Sequence, residues 1–504
     1  MESVAHAGTI RRGRGRCPGV DSGSDGQYLR HVASRRTTKY SLAVAILVAL
    51  PWLSGLVGTH DFLWDDIYVV RENPGLATPS VFHRAWSEPW SATSSSEDYR
   101  RRNGGYYRPL STISLALDRQ IWGLSPLGFR LTSIVIHGAA AGLIASILLG
   151  LGLSLHWAGG LAIFFGWHPV HSEVLASAAY RTTLLAGFFG LLAARFLVVR
   201  FREDEKADVL SLKAMAMAIM CFAAALLAKE SALTLLAALP LLAAMGRPRS
   251  GRLAALVLGL AVVAGAWFMV RTSVILPPRA AVLGNLDFGD RLLLMLKTPV
   301  TYLGLFAWPA KLNPHWDVSL FYPPPVDWRT GVGVALLFVD GAILAWGWLR
   351  RRPWVLPWTA CHAVASVYVG LVPLQMIVAE RFMYLTMGLL VITVGVGLAG
   401  SEPRLPRRWA RAAVLLALVG LLGFGVRSAV RMQAWTDYRT LLAERVADFP
   451  ESFDARYSQA LLCEGDGDLD CARRENRAAL AIYPGFPLAL DLQRRLDTAG
   501  GPGG

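Results

Sequence analysis

Two adjacent carboxylates, Asp65 and Asp66, stand in the run Phe62-Leu63-Trp64-Asp65-Asp66, a few residues beyond the first apolar stretch. A carboxylate just outside hydrocarbon meets a lipid-borne substrate and still exchanges protons with water, which general base catalysis requires. Neighbouring side chains point in different directions, so one aspartate can face an acceptor while hydrogen bonds hold the other as its orienter. The plainer alternative is equally open: an aspartate there N-caps the helix that begins near Ile67.

Basic and mixed groups recur at comparable positions. Arg108, in Tyr106-Tyr107-Arg108-Pro109-Leu110, suits a two-pronged grip on a lipid phosphate or simple snorkelling to headgroups. His168-Pro169-Val170-His171-Ser172-Glu173 puts two imidazoles and a carboxylate at the end of an apolar run, with Arg181 soon after. Such a cluster is discouraged at a bilayer boundary unless it is used. Contact with phosphate or sugar and structural hydrogen bonding both fit. A metal fits less well, because the histidines lack the i, i+4 spacing of helical zinc sites and a proline interrupts them, so no metal ligand is assigned. Lys229-Glu230 and Glu380-Arg381 each join apolar runs through connections so short that their charges must lie at the boundary. Asp317 is a weaker candidate, in a Pro- and Asn-containing turn.

The elements that carry these groups follow from composition. The chain has 504 residues, 54% of them hydrophobic, and a mean hydropathy of +0.40, which predicts an all-α, polytopic membrane bundle. The formal charge of +14 is spread over short loops and chain ends, a membrane pattern and not a nucleic-acid-binding face. Residues 1–40 are strongly basic and read as a disordered cytoplasmic tail; 41–58 reads as a retained first helix.

Counting that helix, about twelve apolar runs extend to residue 426. With the tail inside, the loops around Arg200 to Lys213 and Arg247 to Arg252 are cytoplasmic. Reading 291–308 as interfacial or re-entrant keeps Arg350 to Arg352 and Arg404 to Arg411 inside as well, leaving about eleven spans and an outside C-terminus. The outside face then holds the loop 59–126, the turn from His168 to Arg181, the loop 271–330, and everything after about 427. Within the first loop Leu110, Ile113, Leu117 and Ile121 recur at helical spacing, as in a helix lying on the membrane surface.

Residues 428–497 lose the apolar runs and take the order of tetratricopeptide helices, with one repeat and part of another, before a disordered end at 498–504. Cys463 and Cys471 in that segment form a disulfide if it faces an oxidising compartment; Cys221 and Cys361 lie in apolar runs and read as small hydrophobes.

In order along the chain, Phe62 to Asp66 with Asn73-Pro74, Tyr107-Arg108-Pro109-Leu110, Gly128-Phe129-Arg130 with His137, His168 to Glu173, Lys229-Glu230, and Ala379-Glu380-Arg381 through Tyr384-Leu385 resemble a family. That family is the membrane O-mannosyltransferases with tetratricopeptide repeats, of the GT-C class of lipid-sugar-dependent glycosyltransferases. The resemblance covers roughly residues 40–485, and its repeat region is much shorter than in relatives.

It implies an inverting transfer of a sugar, mannose in the first instance, from a polyprenyl-phosphate donor to a hydroxyl of a protein or envelope glycan. By the same resemblance Asp65 is the base and Asp66 its partner, with their roles interchangeable at this stage. Arg108, Arg181 and Lys229 stabilise the departing phosphate, His168, His171 and Glu173 orient phosphate or sugar, and Glu230, Glu380 and Arg381 line the site. No cofactor is expected, and divalent-metal dependence is left open. The Ala-, Gly-, Leu- and Arg-rich composition favours a bacterial inner membrane. Two rivals predict different features: a transporter needs repeats and mid-bilayer charges, for which only Asp340 and His362 qualify, and a scaffold needs no paired aspartates.

Overall fold

The computed structural model describes residues 22–58, 60–199, 210–275, 287–314, 316, 326–372, 376, 378–399 and 406–499, and all structural statements refer to these. Asp317, most of the basic tail and residues 500–504 lie outside them. The chain is a helical membrane protein. Six helices are long and apolar enough to cross a bilayer: Pro126–Gly150, Arg181–Val198, Ser250–Val274, Trp328–Leu349, Glu380–Leu398 and Arg411–Ala434. Leu212–Ala228 and Glu230–Ala244 are apolar but shorter. Phe288–Ala307, expected to be interfacial, is a helix with Pro299 inside it and is not among the six.

The first helix runs Ser22–Ala49, so residues 22–40, expected to be disordered, are helical. From Tyr28 to Ala49 no glycine or proline interrupts it, and the arginines there are good helix formers. Residues 22–40 and those from Ser41 onward belong to separate units. Pro51, which has no N–H to donate, opens a 3-10 turn, Pro51–Leu56, that closes the first apolar stretch. Gly138 and Gly142, one turn apart on Pro126–Gly150, admit the backbone of this stretch. A Cβ on Gly138 would stand 2.7 Å from the Ala45 carbonyl oxygen, the close approach that small residues permit between membrane helices.

The loop after the first apolar stretch has its own apolar core, in which Phe62, Val69, Val70, Leu76, Trp90 and Tyr99 pack with Leu115 and Phe129. Its final element is the helix Pro109–Trp122, begun by a proline at the position where no N–H is needed. The expected stripe runs along the outer side: Leu117 and Ile121 are exposed, whereas Ser111, Leu115, Ala116 and Asp118 are buried. The reason is the Asp118 carboxylate, which pairs at 2.7 Å with wholly buried Arg181 and draws the polar side inward.

After Arg407–Ala434 come four helices, Tyr438–Asp448, Phe453–Gly465, Leu469–Ile482 and Pro487–Ala499. Asp437, Ser452 and Asp468 cap the first three through their side chains. Ala460, Cys463, Ala472, Leu492 and Leu496 form their core, and Cys463 is bridged to Cys471.

Candidate active site

The two aspartates have different surroundings. Asp66 is 3% exposed, and its carboxylate accepts from Ser177 Oγ at 2.7 Å and from the backbone N–H groups of Ala178 and Ala179 at 3.0 and 2.8 Å. It makes no side-chain cap on the helical turn Ile67–Arg71, which removes the capping alternative for this residue. Burial raises its carboxyl to about 6, against the pull of those hydrogen bonds. Asp66 thus pins the first loop to the turn before Arg181.

Asp65 is half-buried. Its charge acts on the phenols of Tyr99, Tyr106 and Tyr180, each raised first of all by burial. Tyr180 carries the Arg381 guanidinium over its ring at 4.3 Å, and Tyr106 carries that of Arg108 at 4.2 Å. Both tyrosines lie within the fields of Asp65 and Arg381, so the aspartate and the two arginines border one region.

Each arginine is aimed by a glutamate. Arg108 reaches both oxygens of Glu230, with Nε donating at 2.9 Å, in the bidentate geometry that fixes a guanidinium plane. Arg381 donates its backbone N–H to Glu173 Oε2 at 2.8 Å and its side chain to Glu173 Oε1. Glu173 is wholly buried in the first turn of the short helix Ser172–Ala176, which follows a 3-10 turn started by Pro169. Lys229 follows the helix Leu212–Ala228 in extended backbone, and its ammonium donates to Thr183 Oγ1 at 2.6 Å. Burial, then the charges of Arg108 and Arg381, lowers that ammonium to about 7. Thr183, Lys229, Ser231, Tyr368, Arg381 and Phe382 line a small cleft. An anion entering there meets cations whose directions are already set.

Four expected site residues point away from this cleft. Arg181 spends its donors on Asp118, Ser133 Oγ, Ser114 Oγ and the Phe129 carbonyl, so it braces the loop helix instead of meeting phosphate. His168 Nε2 donates to the Phe306 carbonyl at 3.0 Å, while its Nδ1 accepts from Val170 N at 3.3 Å. His171 is buried among the rings of His137, Phe165 and Tyr384. Burial holds His168 at about 4 and His171 well below its ordinary value, which keeps both neutral. Glu380 is also wholly buried, and the charges acting on it come from Arg431, Glu173 and Glu444.

Tyr180, Thr183, Ser231 and Tyr368 join the site without having been singled out. Their signal was weak: Tyr180 and Thr183 flank Arg181, and Ser231 follows Lys229-Glu230, whereas Tyr368 arrives from a distant helix end.

No established family profile matches the chain, and neither does any solved structure. Among curated proteins, human protein O-mannosyl-transferase TMTC2 is 31% identical over 137 residues, covering 26% of this chain and 16% of the relative. The Drosophila melanogaster Tmtc2 protein is 26% identical over 303 residues, 58% of this chain and 32% of its own length. Human TMTC4 is 29% identical over 192 residues, 35% and 25% of the two chains. The matches thus span a third or less of these relatives. Over that shared part, the chain resembles the protein O-mannosyl-transferases.

Proposed function

We propose that this chain is an inverting GT-C glycosyltransferase that moves a sugar, mannose by its relatives' names, from a polyprenyl-phosphate donor to a protein hydroxyl at the extracytoplasmic face. One observation carries the reading: the charge of half-buried Asp65 reaches the phenols of Tyr106 and Tyr180, whose rings carry the Arg108 and Arg381 guanidiniums, while Asp66 is engaged in holding the loop.

In this reading the Asp65 carboxylate takes the acceptor's O–H proton as that oxygen attacks the anomeric carbon. The carbon–oxygen bond to phosphate breaks with its electron pair going to the lipid phosphate, and configuration inverts. Arg108, Lys229 and Arg381 face the charge that grows on the departing phosphate, and Glu230 and Glu173 keep the two guanidiniums in place. Water-filled surroundings would blunt these interactions, whereas burial in a low-dielectric cleft strengthens them.

The Cys463–Cys471 bridge supports an outside, oxidising location for the C-terminal segment. The basic loops described above support a cytoplasmic N-terminus, and composition supports a bacterial inner membrane.

The direct test compares Asp65→Asn with Asp66→Asn in purified protein given radiolabelled polyprenyl-phosphate mannose and a Ser/Thr-rich peptide. Loss of turnover in Asp65→Asn with unchanged thermal stability is expected. Parental turnover in that variant removes the base.

A further inference from the structure

We infer that Trp435 and Arg445, on the C-terminal appendage, are positioning residues for Asp65 and act through the backbone of Trp64; this rests on the reading of Asp65 as the base. Trp64 has φ of 49°, the left-handed region that a bulky side chain rarely adopts. Such a conformation persists where the surroundings over-determine it. Here they do so from one direction.

The Trp64 ring meets Trp435 edge-on, with centroids 5.6 Å apart and planes at 78°. The Arg445 guanidinium lies over the same ring at 5.5 Å. Arg445 is itself fixed, with Nε donating to Asn313 Oδ1 at 3.0 Å and Nη2 to Asp454 Oδ2 at 2.9 Å. Trp435 and Arg445 are both 1% exposed.

The backbone around Trp64 is tied at both ends. Asp61 N donates to the Thr436 carbonyl at 3.0 Å, and Asp66 is held by Ser177, Ala178 and Ala179. Arg130 adds a second link to the appendage, donating to the carbonyls of Trp435, Gly55 and Ala176. Between these ties Trp64 is the one left-handed residue, and Asp65 is the next along the chain. A change at Trp64 therefore re-aims Asp65 while leaving Asp66 anchored. Neither Trp435 nor Arg445 lines the cleft of Lys229 and Arg381, so their influence on turnover passes through Trp64. The appendage is then part of the catalytic construction, beyond any part in docking an acceptor.

The experiment uses full-length protein, radiolabelled polyprenyl-phosphate mannose and a Ser/Thr-rich peptide. Trp435→Ala is expected to lower kcat about tenfold or more, because small misplacement of a reacting group is costly, while donor KM stays within about twofold. Trp64→Asn in the same background should return most of kcat, since asparagine tolerates the left-handed region without the clamp. Trp435→Phe should retain parental kcat by keeping an aromatic edge. Arg445→Gln, with and without Trp64→Asn, applies the same comparison if Trp435→Ala does not fold. An undiminished kcat in Trp435→Ala, or a loss that Trp64→Asn fails to restore, overturns the inference. Asp65→Asn in the otherwise parental chain is measured alongside. Full activity there overturns the base reading itself, whereas inactivity there with an unaffected Trp435→Ala overturns only the positioning role.

Discussion

Arg108 and Glu230 are 122 residues apart in sequence and meet through two parallel N–H···O contacts. Lysine can supply charge at position 108 but not the planar fork. Arg108→Lys is therefore expected to lower kcat by roughly tenfold or more, with Glu230→Gln showing a similar loss and the double variant little further loss. Steady-state kinetics on the four proteins of this cycle measures the coupling. Additive losses would separate the two residues.

Asp66→Asn removes a carboxylate that accepts three hydrogen bonds and presents an NH2 group to donors that need an acceptor. The expected destabilisation is about 1–3 kcal/mol. Its reading is the thermal unfolding midpoint in detergent, and Asp65→Asn should leave that midpoint unchanged.

The same carboxyl gives stability a pH dependence. Its folded value, about 6, exceeds the ordinary 3.8, so the folded protein holds this proton more tightly than the unfolded chain. Its contribution is fully present below about 3.8 and is lost as pH rises through about 6. Unfolding midpoints of the parental protein should fall more between pH 5 and about 6.5 than those of an Asp66→Asn variant measured over the same range.

Lys229 is charged below about 7 and neutral above it. Turnover that needs this cation should decline as pH rises from about 7 towards 9. Lys229→Arg, which stays charged, should flatten that alkaline limb, and Lys229→Met should lower kcat across the whole range. For folding the sign is opposite to that of a stabilised cation. The unfolded lysine binds its proton more tightly, so this residue's contribution to stability rises from about pH 7 towards 10.4.

Reduction of the Cys463–Cys471 bridge releases a short loop within the appendage. Loop-closure entropy assigns such a cross-link about 2–3 kcal/mol. A Cys463→Ser, Cys471→Ser chain should show earlier proteolytic cleavage in residues 453–499 than the parental protein, as followed by mass spectrometry of timed digests.

The helical membrane class was legible because apolar runs of bilayer length have few alternatives. Charges in short connections between such runs drew notice to Arg108, Lys229, Glu230, Glu173 and Arg381, and the structure pairs Arg108 with Glu230 and Arg381 with Glu173 and sets Lys229 and Arg381 on one cleft. The same logic misplaced Arg181, His168, His171 and Glu380. A boundary position says nothing of which way a side chain turns, and partners such as Asp118, Phe306 and Arg431 come from distant segments. That Asp66 is the aspartate that holds the loop was likewise unreadable, since it depends on three donors at residues 177–179. Residues 22–40 were misread because high charge signals disorder, while the same arginines sustain a helix.

The helix Pro109–Trp122 begins one residue after Arg108 and turns Leu117 and Ile121 outward. Were those two side chains seated in the bilayer surface, the helix would act as a float, and the waterline of the lipid would fix the height at which Arg108 meets Glu230. In a thicker or thinner membrane such a float would keep its depth relative to the headgroups while the spanning helices tilt to compensate. Bilayer thickness would then be a dial on where that guanidinium stands.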